Sequence, residues 1–230
     1  MCGRFVRKSS SRTIAEDFDV DEVVDDLQPS LNIAPTEDVA VITNNGAKRL
    51  VAMRWGLVPS WASDLKAGSR MINARAETIT EKAAFKDAFK RRRCLVIADG
   101  FYEWRKEGRA KIPFLIKLKS DKPFAFAGLY ETWRAVSGEP INTCTIITTE
   151  PNELLQPIHN RMPVILRRPA EEMWLDPGAR DQAALLELLK PYPSNEMETR
   201  EAAIMLNSEQ LVLQLAEPAQ AEGEHREAEK

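Results

Sequence analysis

The chain of 230 residues lacks several features that would assign it to a special class. No apolar run is long enough for a transmembrane helix, and no basic-then-apolar start indicates a secretory signal. There are three cysteines and no CxxC spacing, which argues against a disulfide framework and a zinc site. These absences predict a metal-free, cofactor-free, cytoplasmic protein that is not bound to a membrane, and we expect a monomer.

The net charge is also small, and it is confined to one end of the chain. The segment 216–230 holds five Glu against one Arg and one Lys, so it carries the whole net charge of −3 and leaves residues 1–215 neutral. This segment has no aromatic or β-branched residue, a composition typical of disordered chains. We therefore predict one domain over residues 2–215 and an acidic disordered tail over 216–230.

Short runs rich in Ile, Val, Phe and Thr predict β-strands throughout the domain. The predicted strands are Val39–Thr43, Leu50–Trp55, Cys94–Ala98, Ile112–Leu118, Phe124–Tyr130, Thr143–Thr149, Val164–Arg167 and Leu211–Leu215. The predicted helices are Glu81–Lys90 behind a Thr78-x-x-Glu81 capping box, Asp181–Leu189 with Asp181 as N-cap, and short turns at Pro169–Leu175 and Glu153–Pro157. Because strands and helices do not alternate, we expect an α+β fold: a compact, antiparallel, barrel-like sheet core with a few short helices.

Cys2 follows the initiator methionine directly. Once Met1 is removed, Cys2 offers an amine of pKa about 7.7–8.0 and a thiol of pKa about 8.5 on one residue. An aldehyde condenses with such an amine, and the thiol then closes a five-membered thiazolidine ring. Position alone is equally compatible with an unimportant residue at a frayed terminus. Cys94 and Cys144 lie within apolar strands and are expected to be buried hydrophobic residues.

His159 is the single histidine of the predicted domain, since the second one, His225, falls in the tail. It follows a strand and lies in a polar loop between two prolines, where binding groups concentrate. Glu103 lies between two aromatic residues after an Asp-Gly turn. Taken alone, His159 could be a structural residue and Glu103 could belong to a surface ion pair.

Seven segments, in order along the chain, resemble the SRAP family, the SOS response-associated peptidase group whose members process abasic sites. They are Met1–Phe5, Asn32–Thr36, Arg54–Trp61, Asn73–Glu77, Asp99–Trp104, Phe126–Leu129 and His159–Pro163. The resemblance implies that the protein binds abasic single-stranded DNA and captures the ring-opened sugar on Cys2 as a thiazolidine crosslink. It implies the active-site residues Cys2, Asn73, Glu103 and His159, and the DNA-contacting residues Arg4, Arg75, Trp104 and Arg161.

The chemistry is consistent with these assignments. Glu103 is suited to accept a proton from the Cys2 amine, and His159 to donate one to the opening ring oxygen. Asn73 is suited to orient the amine or a phosphate. Trp104 or Trp61 could stack on bases, whereas Trp55 is expected to be core. Two alternatives stay open: a thiol peptidase that uses Cys2 as an N-terminal nucleophile, with autocatalytic removal of Met1, and a non-catalytic single-stranded DNA binder. Lyase activity through the imine is a further expectation.

Overall fold

The computed structural model describes residues 2–135 and 138–202. It contains fourteen strands over these residues, namely β1 Phe5–Arg7, β2 Glu22–Val23, β3 Ser30–Ile33, β4 Asp38–Asn44, β5 Lys48–Trp55, β6 Asn73–Arg75, β7 Arg93–Ala98, β8 Gly100–Glu107, β9 Ala110–Leu118, β10 Phe124–Arg134, β11 Pro140–Thr149, β12 Met162–Pro163, β13 Ile165–Leu166 and β14 Met197–Glu201. The α-helices of the same residues are α1 Ser11–Phe18, α2 Lys86–Arg91, α3 Arg168–Leu175 and α4 Gln182–Glu187. Short 3₁₀ turns lie at Leu65–Arg70, Ala76–Thr78 and Ser194–Glu196.

Five strands form a closed barrel in which β7, β4, β5, β11 and β10 pair in turn and β10 returns to β7. Four of these pairings are antiparallel, and the parallel pairing of β5 with β11 closes the ring. Closure removes the free edges that an open sheet would expose. The predicted α+β, barrel-like fold is therefore confirmed, with parallel pairings at β5 that the sequence pattern does not indicate.

A second sheet has the strand order β14-β9-β8-β1-β3. The chain passes from the barrel to this sheet at Asp99, between β7 and β8. The Asp99 carboxylate accepts hydrogen bonds from the main-chain N–H of Lys8 (2.7 Å) and Ser9 (2.9 Å) and from the Ser9 hydroxyl (2.6 Å). This buried carboxylate therefore ties the end of β1 to the crossing point between the two sheets.

Hydrophobic residues lie on both faces of the barrel strands. Alternate residues of β4 and β7 belong to two different clusters, because successive side chains of a strand point to opposite faces. One cluster packs against the helices, and the other contains Cys2, Phe5 and Trp55. Trp55 is fully buried and its indole N–H donates to the Ile72 carbonyl, as expected for a core residue. Cys94 and Cys144 are also buried and free, as predicted.

The predicted helix Glu81–Lys90 is wrong in its first half. Helix α2 begins only at Lys86, and its N-cap residue Phe85 makes no side-chain capping bond. The capping box does not form, because the N–H groups of Glu81 and Lys82 donate instead to the main-chain carbonyl of Thr78. By contrast, the Asp181 carboxylate caps α4 as predicted.

Strand β8 was not predicted, and the other differences concern shorter elements. Glu153–Pro157 forms turns without becoming a helix, whereas α3 covers the predicted Pro169–Leu175. The predicted strand Leu211–Leu215, the domain end at residue 215 and the tail 216–230 lie outside the described residues. None of the helices within 2–135 and 138–202 is long and apolar enough to cross a lipid bilayer.

Candidate active site

The N-terminus lies beside the strand that carries Glu103. Strand β1 pairs antiparallel with β8 through Phe5 and Phe101, and the N–H of Tyr102 donates to the Arg4 carbonyl at 2.9 Å. Since antiparallel partners advance in opposite directions, this register places Glu103 next to the residues that precede Phe5. The sheet therefore brings Cys2 and Glu103 together across about a hundred residues of chain.

Asn73 reaches Cys2 from the barrel side. Strand β6 pairs parallel with β11, opposite Ile146 to Thr148. The Asn73 side-chain Nδ2 donates to the Cys2 main-chain carbonyl at 2.8 Å. Its Oδ1 is buried and accepts no hydrogen bond from another described residue. Asn73 therefore fixes the main chain at Cys2, and its Oδ1 can accept a hydrogen bond from an amine or a hydroxyl group.

Glu103 and His159 face each other across the site. The Glu103 side chain is 2% exposed, and its Oε2 lies 4.0 Å from His159 Nε2. Burial raises the pKa of Glu103 from an ordinary 4.5 to about 7, although the charge of the N-terminal amine acts in the opposite direction. The Glu103 carboxyl is therefore poised to exchange a proton near neutral pH.

His159 is oriented by the main chain of its own loop. The ring Nδ1 lies 3.1 Å from the main-chain N of Arg161 and 3.2 Å from its carbonyl oxygen, so it accepts from the N–H in one neutral tautomer and donates to the carbonyl in the other. The ring Nε2 is the atom that faces Glu103. Burial lowers the pKa of His159, so the ring is neutral at physiological pH.

The Cys2 thiol is buried. Burial, followed by the charge of Glu103, raises its pKa far above the ordinary value. The thiol is therefore protonated at neutral pH, and the electrostatics oppose a resting thiolate. The same interaction shows that the field of the Glu103 carboxylate reaches the Cys2 sulfur.

The predicted DNA-contacting residues occupy different environments. The Arg4 guanidinium donates to the Asn32 side-chain oxygen at 2.8 Å, while Arg75 is exposed. Trp104 is half-buried on the face of β8 opposite Glu103. Trp61 is 68% exposed.

Arg161 is strongly engaged within the protein. Its Nη1 and Nη2 lie 2.6 and 2.9 Å from the two carboxylate oxygens of Glu77, and Nη2 also donates to the Thr148 carbonyl at 2.7 Å. The Arg161 hydrogen bonds lower the pKa of Glu77. Because its main chain also orients His159, Arg161 links the imidazole to strand β11.

Two residues of the site were not predicted, Glu77 and Asn32. Each lies within a segment that carries the family resemblance, and this position is the feature of the sequence that could have identified it as a site residue. Across residues 2–135 and 138–202, no group of three or more His, Cys, Asp or Glu side chains is placed to hold a metal ion.

Comparisons with known proteins identify the family of the chain. The model of the family described as SOS response associated peptidase (SRAP) matches residues 1–208. The chain is 49% identical over 212 residues to abasic site processing protein YoaM of Bacillus subtilis, covering 90% of this chain and 93% of that protein. It is 34% identical to abasic site processing protein HMCES of Xenopus tropicalis, covering 73% of this chain and 59% of that longer protein.

The fold is shared with a solved structure as well. A crystal structure of a Bacteroides thetaiotaomicron protein superposes with a TM-score of 0.81 at 30% identity, covering 88% of this chain and 92% of that one. A Bordetella bronchiseptica structure at 23% identity shows the same fold with a TM-score of 0.77, over 88% of this chain and all of that one. The family match spans all of the described residues, including the four that meet near the N-terminus. The chain belongs to the SOS response associated peptidase (SRAP) family.

Proposed function

We propose that this protein processes abasic sites by capturing the ring-opened sugar in single-stranded DNA as a thiazolidine crosslink on Cys2. The observation that carries the proposal is the meeting of three side chains from separate elements around Cys2. Asn73 bonds the Cys2 carbonyl at 2.8 Å, and Glu103 and His159 stand 4.0 Å apart beside it. Relatives named as abasic site processing proteins support the same substrate.

The reaction balances without a cofactor. The Cys2 amine adds to the sugar aldehyde carbon, and the resulting carbinolamine loses water to give an imine. The Cys2 sulfur then bonds to the same carbon, and the thiol proton passes to the imine nitrogen. One water leaves in total, and nothing is oxidised or reduced. The proposal requires an amine on Cys2, and hence the removal of Met1.

Glu103 and His159 have complementary roles in this scheme. A carboxyl of pKa about 7 can take a proton from the attacking amine and return it to the departing hydroxyl. In the tautomer whose Nδ1 accepts from the Arg161 N–H, the neutral imidazole carries its proton on Nε2 and can donate it to the ring oxygen as the sugar opens. Each such proton transfer contributes roughly 10²–10⁴-fold in rate.

The protonated state of the Cys2 thiol favours crosslinking over peptidase action. A thiol peptidase needs a thiolate nucleophile, and burial beside Glu103 raises the thiol pKa and so opposes it. In the crosslinking scheme the amine attacks first, and the thiol adds only to the more electrophilic imine. The raised pKa therefore suits the second step of ring closure better than a first attack on a peptide.

For the DNA itself we propose contacts by Arg4, Arg75, Arg161 and the aromatic ring of Trp104. Arginines bind phosphates without reading sequence, and stacking on an aromatic ring tolerates any base. Selectivity then comes from the aldehyde, which an intact nucleotide does not offer. We expect little dependence on the surrounding sequence.

The test is intact mass spectrometry after incubation with an abasic single-stranded oligonucleotide. Wild type should lose Met1 and gain the mass of the oligonucleotide less one water. Cys2→Ala should form no stable adduct, whereas Cys94→Ala should react like wild type because Cys94 is buried in the core. A stable adduct on Cys2→Ala would reject the proposal.

Two further measurements separate the alternatives. An N-terminal extension that blocks the Cys2 amine should abolish the adduct while changing non-covalent affinity little. Equal binding of intact and abasic strands, with no covalent product, would identify a non-catalytic binder. Turnover of general peptides by wild type but not by Cys2→Ala would identify a peptidase.

A further inference from the structure

A basic hairpin extends beyond the site on the strand that supplies Glu103. Strand β8 continues to Glu107, turns at Gly108 with φ of +59°, and returns as β9. Arg105 is engaged, since it pairs with Glu107 at 2.6 Å and its guanidinium lies 4.7 Å from the ring centre of Phe114.

Three other cations near the tip of the hairpin are exposed. They are Lys106, Arg109 and Lys111, and none of them forms an ion pair with another described residue. The tip therefore projects uncompensated positive charge into solvent.

The register of the hairpin places two of these cations against each other. Lys106 and Lys111 are direct cross-strand partners. Like charges in this position destabilise a sheet, by a few tenths of a kcal/mol to about 1 kcal/mol. The fold therefore gains nothing from this pair. A bound polyanion would neutralise both lysines and remove the repulsion. A role in binding a polyanion would therefore explain why the two lysines face each other.

An aromatic ring lies beside the two lysines. Trp104 precedes Lys106 by two residues, so both project from the same face of β8. The ring is half-buried and packs against the cluster that contains Tyr102 and Leu115. Binding sites for single-stranded nucleic acids combine cations, which bind the phosphates, with aromatic side chains, on which the bases stack.

The hairpin is close enough to the site to serve the same DNA strand. Lys106 is three residues beyond Glu103, about 10 Å along an extended strand, and projects from the opposite face of β8. The charge of Lys106 also contributes to lowering the pKa of His159, so its field reaches the reacting groups.

We propose that the Lys106 and Lys111 face of the β8–β9 hairpin binds the backbone phosphates of single-stranded DNA next to the lesion. The inference rests on the proposed function and extends it from the reacting sugar to the flanking strand. Arg109 at the tip of the hairpin extends the same surface.

The test compares the double variant Lys106→Gln, Lys111→Gln with a matched control, Lys119→Gln, Lys122→Gln. The control lysines are also exposed and form no ion pair with another described residue, but they lie at the far end of β9. Eight residues separate Lys111 from Lys119, about 26 Å along the strand. Both variants therefore lose two exposed positive charges.

The readout is fluorescence anisotropy with an intact, non-abasic single-stranded oligonucleotide over a series of salt concentrations. Each lost phosphate contact reduces the slope of log affinity against log salt by about 0.7, so the hairpin variant should lose about 1.4. The control should keep the wild-type slope. The hairpin variant should also melt at or above the wild-type temperature, because the lysine repulsion is removed. A hairpin variant with the wild-type slope, or a control with the same loss, would overturn the proposal.

Measurements on wild type and the hairpin variant also separate a failure of this inference from a failure of the proposed function. Binding to an intact strand does not depend on Cys2, so the hairpin result stands even if wild type never forms an adduct. If crosslinking is correct, the hairpin variant should still crosslink abasic DNA at low salt and saturating protein. Complete loss of the adduct there would assign the hairpin to the reaction itself and reject a role confined to phosphate binding.

Discussion

Glu103→Gln should stabilise the protein at alkaline pH while it impairs the proposed reaction. The carboxyl is 2% exposed, and burial raises its pKa from an ordinary 4.5 to about 7. At about 1.36 kcal/mol per pH unit, this difference corresponds to about 3 kcal/mol. The amide of glutamine has nearly the same shape but cannot ionise, so it removes this cost of burying a charge.

The direction of the pH dependence follows from which state releases its proton first. Well below pH 4.5 the Glu103 carboxyl is protonated in both the folded and the unfolded chain. Between 4.5 and about 7 the unfolded chain loses the proton while the folded chain retains it, so the free energy of unfolding of wild type falls as pH rises. Above about 7 the folded carboxyl ionises as well, and the loss is complete.

The assay is urea unfolding of wild type and Glu103→Gln at about pH 4.5 and about pH 8. The stability of the variant relative to wild type should be about 3 kcal/mol greater at the higher pH. In thermal unfolding this corresponds to roughly 6–12 °C for a domain of this size. The comparison of two pH values cancels any constant difference in packing between Glu and Gln.

Glu77→Gln is a control of opposite sign. Hydrogen bonds from Arg161 lower the pKa of Glu77, so its contribution to stability is present above its ordinary pKa and is lost as pH falls. This variant should be less stable than wild type at about pH 8, and the difference should shrink mainly below pH 4.5, where the folded-state carboxyl takes up its proton. A Glu103→Gln variant whose relative stability is the same at both pH values would refute the argument that burial sets the protonation of Glu103.

Three other outcomes are expected. Asp99→Ala removes an acceptor of three hydrogen bonds and should lower the free energy of unfolding by about 2–4 kcal/mol in urea at neutral pH; a loss below about 1 kcal/mol would contradict the role assigned to this carboxylate. Gly56→Ala should cost more than about 2 kcal/mol, because φ is +127° and the new Cβ would lie 2.6 Å from the Gly68 carbonyl oxygen. Gly46→Ala, at φ of +98° with open space around it, should cost only about 1 kcal/mol, and equal losses at both glycines would exclude the steric argument. His159→Ala should slow adduct formation by roughly 10²–10⁴-fold in single-turnover mass spectrometry with unchanged affinity for intact DNA, and an unchanged rate would remove the imidazole from the scheme.

Much of the barrel could be predicted from local patterns. Strands such as Asp38–Asn44 and Lys48–Trp55 are rich in β-branched and apolar residues, which predict their central parts directly. The strands that were missed are β1, β2, β3, β6, β8, β12 and β14. Most of them contain two to five residues, and β8, which has eight, begins with Gly100 and carries four charged side chains. They are strands because a neighbouring strand supplies their hydrogen bonds, a property that no local pattern carries.

Helix α2 shows the same limit. Thr78 and Glu81 have the spacing of a capping box, yet the chain turns through the Thr78 carbonyl and becomes helical only at Lys86. The buried residues of this helix, Ala88 and Phe89, belong to the hydrophobic cluster in which the helices pack against the barrel strands. Tertiary packing of that apolar pair outweighs a cap worth about 1 kcal/mol.

The sequence by itself determined which chemical groups are available: a thiol on Cys2, one imidazole within residues 1–215, and the motifs that resemble one family. Only the tertiary structure decided that Asn73, Glu103 and His159 meet at residue 2, because strand pairing joins segments that are far apart along the chain. Only burial decided their ionisation, raising the pKa of Glu103 and lowering that of His159. The reason is physical: a residue type specifies which protons it can exchange, whereas the removal of water around it sets the pH at which it does so.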